Sequence, residues 1–271
     1  MARTSARRAA VLGSPIAHSL SPALHRAAYA DLELDWNYDA IECDEAGLPG
    51  FVDSLDDSWA GLSLTMPLKR AVLPLLDNLS EIATVTGVAN TVVLRDGKKY
   101  GDNTDVYGIV AALRETGVDR VRAVTVLGGG ATAISALAAA RELGARDARI
   151  VVRSRQRAVD VLAAAERIGL FADVMDWPGV DPAWRTELVV STVPVGVADA
   201  LSARDGWPKA LLDVVYAPWP TALARAATAA GATVIGGLAM LVHQAARQVE
   251  LMTGRPAPVA AMRAAGEAAL G

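Results

Sequence analysis

The apolar positions of this chain fall into short runs separated by longer stretches in which alanine and leucine recur at helical spacing. Residues 8–13, 36–42, 59–65 (WAGLSLT) and 88–95 (VANTVVLR) read as strands. Asp96-Gly97 closes a hairpin back to Tyr100, because both residue types tolerate the positive φ that a two-residue turn demands. Ser21-Pro22 opens a helix to about residue 31, with Ser21 as N-cap and proline at the first helical position. Residues 45–55 form a poor helix, and Pro67 starts another. Residues 105–116 form a helix with no strand partner beside it, and the domain junction is placed along it. The second half reads as strand AVTVL into a glycine loop, helix 131–143, strand 148–153, helix 156–168, and buried strands at 188–192 and 211–216. The Ala-rich segments 237–253 and 258–270 are helical and contain no strand, so part of them is expected to pack back on the first domain. The alternation predicts an α/β protein with mostly parallel sheet. Three segments are expected: an N-terminal α/β domain over 1–106, a doubly wound domain over 107–236, and returning helices over 237–271.

Composition narrows the class. Of 271 residues, 52% are hydrophobic and 21% charged, which suits a packed globular protein rather than a disordered one. A formal net charge of −4 carries no nucleic-acid footprint. No apolar run reaches the roughly 18 residues of a membrane span. Cys43 is the single cysteine, so an internal disulfide is excluded. The start, MARTSARRAAVLGSPIAHS, is expected to be a basic tail leading into a first strand, not a signal peptide, since Gly13, Pro15 and His18 interrupt its apolar stretch. A cytoplasmic protein, monomeric or homodimeric, with a small-molecule substrate and no nucleic-acid or membrane partner, is the expectation. Only four of the 26 basic residues are lysines (Lys69, Lys98, Lys99 and Lys209).

Gly128-Gly129-Gly130-Ala131-Thr132-Ala133 fits G-x-G-x-x-A between a predicted strand and a predicted helix, the context that the dinucleotide fingerprint requires. Gly128 permits a tight turn, Gly130 lets backbone approach a pyrophosphate, and the helix N-terminus supplies N–H donors and partial positive charge. The structural alternative is an ordinary glycine turn. The next strand runs into Arg153, Ser154, Arg155 and Arg157, with no acid before Asp160. A carboxylate there would hold the ribose hydroxyls of NAD, whereas guanidinium groups bind a 2′-phosphate bidentately, so NADP is favoured. A merely solvated arginine cluster is the weaker explanation, because cations are disfavoured at a helix N-terminus.

Three further segments place hydroxyl, amide or charged groups at strand ends, where α/β proteins bind ligands: 14–25, 62–69 and 87–105. They contain H-S-x-S-P (His18 to Pro22), T-x-P-x-K (Thr65 to Lys69), A-N-T (Ala89 to Thr91) and G-D-N-T-D (Gly101 to Asp105). Downstream lie STVP (191–194), D-x-x-Y-x-P-x-x-T (Asp213 to Thr221) and G-x-x-M-L-x-x-Q (Gly237 to Gln244). This ordered set, spanning nearly the whole chain, resembles the shikimate dehydrogenase family. The resemblance implies NADPH-dependent reduction of 3-dehydroshikimate to shikimate in aromatic amino-acid biosynthesis. It implies that Lys69 and Asp105 form the catalytic pair, that Ser19 and Ser21 hold a ring carboxylate, and that Thr65, Asn90, Tyr216 and Gln244 contact the carboxylate or ring hydroxyls. It places Gly128, Gly129, Gly130, Ala131 and Thr132 at the pyrophosphate, Arg153, Ser154 and Arg157 at the 2′-phosphate, and Val214, Gly237 and Met240 at the nicotinamide. No metal is implied.

The chemistry agrees with these roles. Hydride addition to a ketone builds negative charge on oxygen, which a positioned ammonium stabilises and protonates. Lysine can titrate where arginine stays charged, and a solvated cation in this arginine-biased chain would have been Arg, which singles out Lys69. A carboxylate at Asp105 would orient that ammonium. Simpler roles stand beside these: Ser21 and Thr65 as helix caps, Asn103 as a turn former and Tyr216 as a core tyrosine. The chain departs from the family pattern at Ala131 and Val152, where Gly and Asn are usual, and after Pro194. Rival readings are a quinate or amino-shikimate dehydrogenase of the same family, a non-catalytic NADP-binding module, and a folate-type methylene dehydrogenase. The last offers no role for Ser19 and Ser21.

Overall fold

A computed structural model describes residues 6–177, 186–204 and 206–271, and leaves the side chain of Arg157 outside the description. The chain forms two compact units, one running to Thr104 and resuming at Leu241, the other Asp105–Met240.

The first unit begins with β1 (Arg7–Gly13), α1 (Ser21–Asp31), β2 (Trp36–Glu42), α2 (Leu48–Asp53), β3 (Trp59–Leu64) and α3 (Leu68–Ala71). It continues with β4 (Asn78–Leu79), α4 (Glu81–Thr86), β5 (Thr91–Arg95) and β6 (Lys98–Asp102). Its sheet has the order β2-β1-β3-β5-β6-β4. β1 runs parallel to both β2 and β3, while β5 is antiparallel to β3 and β6. The sheet is therefore mixed, because a two-residue hairpin can only join antiparallel strands. Asp96 and Gly97 make that turn with φ of 52° and 69°. Every residue of β3 is buried, as befits a central strand, and Leu12, Leu62, Leu64, Leu68 and Val92 form the core around it.

Two features differ from the sequence reading. Ser21 is not an N-cap: α1 starts on it, Leu20 stands in the cap position, and no side chain caps the helix. Instead the Ser19 hydroxyl accepts the Ser21 N–H at 3.3 Å. The pair β4 and α4 has no apolar period long enough to read. α4 is set by its ends, with Ser80 Oγ accepting the Ala83 N–H at 3.2 Å and Gly87 closing it at φ 64°.

The second unit comprises α5 (Thr104–Glu115), β7 (Ala123–Leu127), α6 (Ala131–Glu142), β8 (Asp147–Val152), α7 (Val159–Ile168), β9 (Phe171–Asp176), β10 (Leu188–Ser191), β11 (Ala210–Asp213), α8 (Ala222–Ala229) and β12 (Thr233–Gly236). Its sheet is wholly parallel in the order β12-β11-β10-β7-β8-β9, the doubly wound arrangement expected. The strand after β10 ends at Asp213 rather than at 216, and the helix read from 156 begins as a 3₁₀ turn over Arg155–Ala158. β9, α8 and β12 add three elements not read from sequence; β9 has no fully buried residue and β12 spans only four residues.

α9 (Gly237–Thr253) leads from the second unit back to the first, and α10 (Val259–Leu270) packs along α1. The closing helices thus return to the first unit as their lack of strands predicted. No helix among the described residues is long and apolar enough to cross a membrane.

Candidate active site

In the first unit the polar segments converge because the strands carrying them are neighbours. β1 and β3 are parallel, so their C-terminal ends adjoin: the Ser14 N–H donates to the Met66 carbonyl at 2.9 Å, and the Thr65 N–H to the Leu12 carbonyl at 2.9 Å. Gly13 is required there, since a Cβ would overlap the Thr65 methyl. The loop after β1 carries Ser19 and leads to Ser21 at the start of α1, and the segment after β3 carries Thr65 and Lys69. β5 runs antiparallel to β3, which brings its entry, Asn90-Thr91, to the same end. The Leu64 N–H donates to the Asn90 carbonyl at 2.7 Å, and the Ala89 N–H to the Lys69 carbonyl at 2.9 Å. Ser19, Thr65 and Lys69 are half-buried, while Ser21, Asn90 and Gln244 are buried. Thr65 does not cap α3, whose N-cap is Pro67.

Asn90 is held on several sides. Its Oδ1 accepts the backbone N–H of Thr104 at 2.8 Å and the hydroxyls of Thr91 and Thr104 at 2.8 and 3.1 Å. Its Nδ2 donates to Gln244 Oε1 at 3.2 Å, and Gln244 Nε2 donates to the Leu241 carbonyl at 3.0 Å. A buried amide with all these partners is confined to one rotamer. Asp105 follows Thr104 in α5 and is itself buried. Asn103, read as a turn former, is buried and donates from Nδ2 to the Thr86 hydroxyl at 3.2 Å.

In the second unit the strand order reverses between β7 and β10, and the glycine loop leaves β7 at that point. Gly128 has φ of 120°, and a Cβ on it would overlap Thr192 Oγ1. Thr192 is anchored through its N–H and hydroxyl to the Leu127 carbonyl, at 2.9 and 2.8 Å. Gly130 stands in the N-cap position of the twelve-residue α6, with open space where a Cβ would sit. Gly129, Ala131 and Thr132 are half-buried beside it. A loop kept free of side chains before a long helix fits a pyrophosphate. Arg153 and Ser154 are exposed after β8, and Arg155 pairs with Asp176 at 3.4 Å. The side chain of Arg157 lies outside the described residues.

β11 delivers Val214 and Tyr216. Asp213 Oδ2 accepts the Thr221 hydroxyl at 2.8 Å, and Thr221 in turn caps α8 by accepting the Ala224 N–H at 3.0 Å. Burial raises the Asp213 pKa, and its hydrogen bonds to Thr221, the Val215 N–H and Ser191 oppose the rise. This clamp fixes both ends of the loop holding Tyr216, whose half-buried phenol has its pKa pushed up by burial. Gly237 is buried, and a Cβ on it would overlap the Val214 carbonyl; Met240 is buried one turn later. Sequence reasoning assigned no part to Thr192, Thr221, Thr91 or Thr104. The threonines of STVP and D-x-x-Y-x-P-x-x-T were visible as motif letters, but their partners lie across the fold.

Residues 11–92 match the family model of the shikimate dehydrogenase substrate binding domain, and residues 237–265 that of the shikimate 5'-dehydrogenase C-terminal domain. The chain is 36% identical to a shikimate dehydrogenase (NADP(+)) of Thermosynechococcus vestitus, covering 96% of this chain and 95% of the relative. Among solved structures, Mycobacterium tuberculosis shikimate dehydrogenase is 41% identical with a TM-score of 0.89, over 97% of this chain and 99% of that one. The Thermus thermophilus shikimate 5-dehydrogenase, solved in complex with NADP(H) and shikimate, is 36% identical with a TM-score of 0.86, over 97% of this chain and 100% of that one.

Proposed function

The chain belongs to the shikimate dehydrogenase family, and on that premise we propose that it catalyses the reversible, NADPH-dependent reduction of 3-dehydroshikimate to shikimate. The observation that carries this reading is the gathering of Ser19, Ser21, Thr65, Lys69, Asn90 and Gln244 around adjoining strand ends of one unit, through the backbone and side-chain bonds described above. Two hydroxyls beside a lysine, with two oriented amides nearby, suit a small ring bearing a carboxylate and several hydroxyls.

NADPH, when bound, supplies the hydride. The protein's own residues do the rest. Ser19 and Ser21 hold the ring carboxylate through their hydroxyls. Thr65, Asn90, Tyr216 and Gln244 fix the carboxylate or ring hydroxyls. The Lys69 ammonium donates a hydrogen bond to the ketone oxygen, stabilises the charge that develops there and delivers the proton that makes the alcohol. Asp105 orients that ammonium and accepts a hydrogen bond from a neighbouring ring hydroxyl. In the second unit the loop from Gly128 to Thr132 would hold the pyrophosphate, and Arg153, Ser154 and Arg157 the 2′-phosphate. Val214, Gly237 and Met240 would line the nicotinamide end. Residues 1–106 then form the substrate domain, 107–236 the NADP domain and 237–271 the helices that complete the first. A cytoplasmic biosynthetic role follows from this reading. The test is product identity: incubation with 3-dehydroshikimate and NADPH yields shikimate by chromatography, and a failure to form it removes the substrate assignment.

A further inference from the structure

α9 carries a second glutamine, Gln248, one turn beyond Gln244 and 1% exposed. Its amide has a partner on every side. Oε1 accepts from the Ser63 hydroxyl at 2.8 Å and lies 3.2 Å from His25 Nε2. Nε2 donates to the Thr91 hydroxyl at 3.0 Å and to the Asn90 carbonyl at 3.4 Å. The orientation of this amide is dictated by backbone groups, not chosen freely. The Asn90 carbonyl can only accept, so it must face Nε2, which leaves Oε1 for Ser63 and His25.

The direction then propagates both ways. Thr91, having accepted from Gln248, donates to Asn90 Oδ1. That oxygen is identified independently by the Thr104 N–H, which needs an acceptor. Asn90 must therefore present Nδ2 to Gln244, and Gln244 must answer with Oε1. On the other side the Tyr38 hydroxyl donates to Ser63 at 2.6 Å. One unbroken run of hydrogen bonds thus joins Tyr38 to Gln244, with Gln248 at its middle. His25 stacks on Tyr38 at 3.9 Å between ring centroids, which holds the Tyr38 side of the run in place.

We propose that Gln248 is a positioning residue for the reduction: without touching substrate, its amide braces the Asn90 carbonyl and the Thr91 hydroxyl, and so holds in place the Asn90 and Gln244 side chains offered to the ring. This rests on the substrate reading above. Breaking the run removes the donor that braces Thr91 and the Asn90 carbonyl, so the Asn90 and Gln244 amides keep their orientation but are held less precisely for the ring. The loss falls on ring recognition, not on the second unit.

Two variants test it. Gln248→Met keeps the length and removes every bond. Gln248→Glu keeps the acceptor for Ser63 and His25 and removes the donors to Thr91 and Asn90. Both are expected to raise KM for 3-dehydroshikimate about tenfold or more, with KM for NADPH changed less than about twofold. Thr91→Val, which cuts the run beyond Gln248, should reproduce that split, and Thr91→Ser should restore wild-type behaviour. A lower melting temperature with both KM values unchanged would overturn the proposal and leave Gln248 a packing residue. Should the Gln248 variants not fold, the Thr91 pair decides. A substrate-free readout separates this idea from the function. Nitrogen-15 spectra of the wild-type protein should show His25 as the neutral Nε2–H tautomer, donating to Gln248 Oε1. The Nδ1–H tautomer would overturn the orientation of Gln248, whether or not the substrate assignment holds.

Discussion

A Cβ placed on Gly237 would overlap the carbonyl oxygen of Val214, and the Gly237 N–H donates to the neighbouring Val215 carbonyl at 3.2 Å. The first turn of α9 is therefore packed directly against the backbone that leaves β11. Any side chain at 237 must push that backbone away. Gly237→Ala is expected to cost about 1–3 kcal/mol of unfolding free energy, the range for overpacking a tight site. It should also raise KM for NADPH more than KM for the ring substrate. Urea denaturation and steady-state kinetics check both, and a variant with unchanged stability would refute the close approach.

Lys69 is assigned the proton transfer. Lys69→Ala should lower kcat by about 10²- to 10⁴-fold, the usual share of a general acid. NADPH binding, read by fluorescence titration, should stay within about twofold of wild type, because no cofactor contact is proposed for Lys69. Lys69→Arg should restore little, since a guanidinium does not give up its proton. Wild-type turnover in either variant would reduce Lys69 to an ordinary cation.

Arg153 is exposed after β8, where a 2′-phosphate would meet it. Arg153→Ala should raise KM for NADPH by about tenfold, the scale of one charge-assisted contact, and leave KM for NADH near its starting value. Equal changes with both cofactors would remove the assignment.

His25 is fully buried, and desolvation drives its pKa down to about 3 despite the hydrogen bond to Gln248. The ordinary value, 6.5, applies in the unfolded chain. Below it the unfolded chain takes up a proton that folded His25 refuses, so stability is lost as pH falls from 6.5 towards 3. The slope from this group approaches about 1.4 kcal/mol per pH unit. His25→Phe keeps a ring against Tyr38 but cannot titrate. It should be less stable than wild type at pH 8, with the gap narrowing as the pH is lowered towards 5. Parallel curves would show that His25 is not the group responsible.

The sequence made the second unit legible where one local pattern sufficed. The run from Val124 through Gly130 into the Ala-rich helix needs no distant partner to be read as strand, turn and helix. The Asp96-Gly97 hairpin was legible for the same reason. Short elements were not: α4 depends on the Ser80 cap and Gly87 rather than on a period, and β12 has four residues. Ser21 was misread as an N-cap because the helix already includes it, with Leu20 in the cap position and no side-chain cap bond. The site residues stood out as motif letters, while what orients them did not. Gln248 meets Thr91 across 157 positions and His25 across 223, a relation that only the fold creates.

The most direct test of the account is the loss of reduced-cofactor absorbance when 3-dehydroshikimate is added to the wild-type protein, with NADPH and NADH compared at equal concentrations. Rapid oxidation of NADPH and a kcat/KM for NADH lower by at least about tenfold is the predicted result. Faster oxidation of NADH, or no oxidation of either, would contradict it.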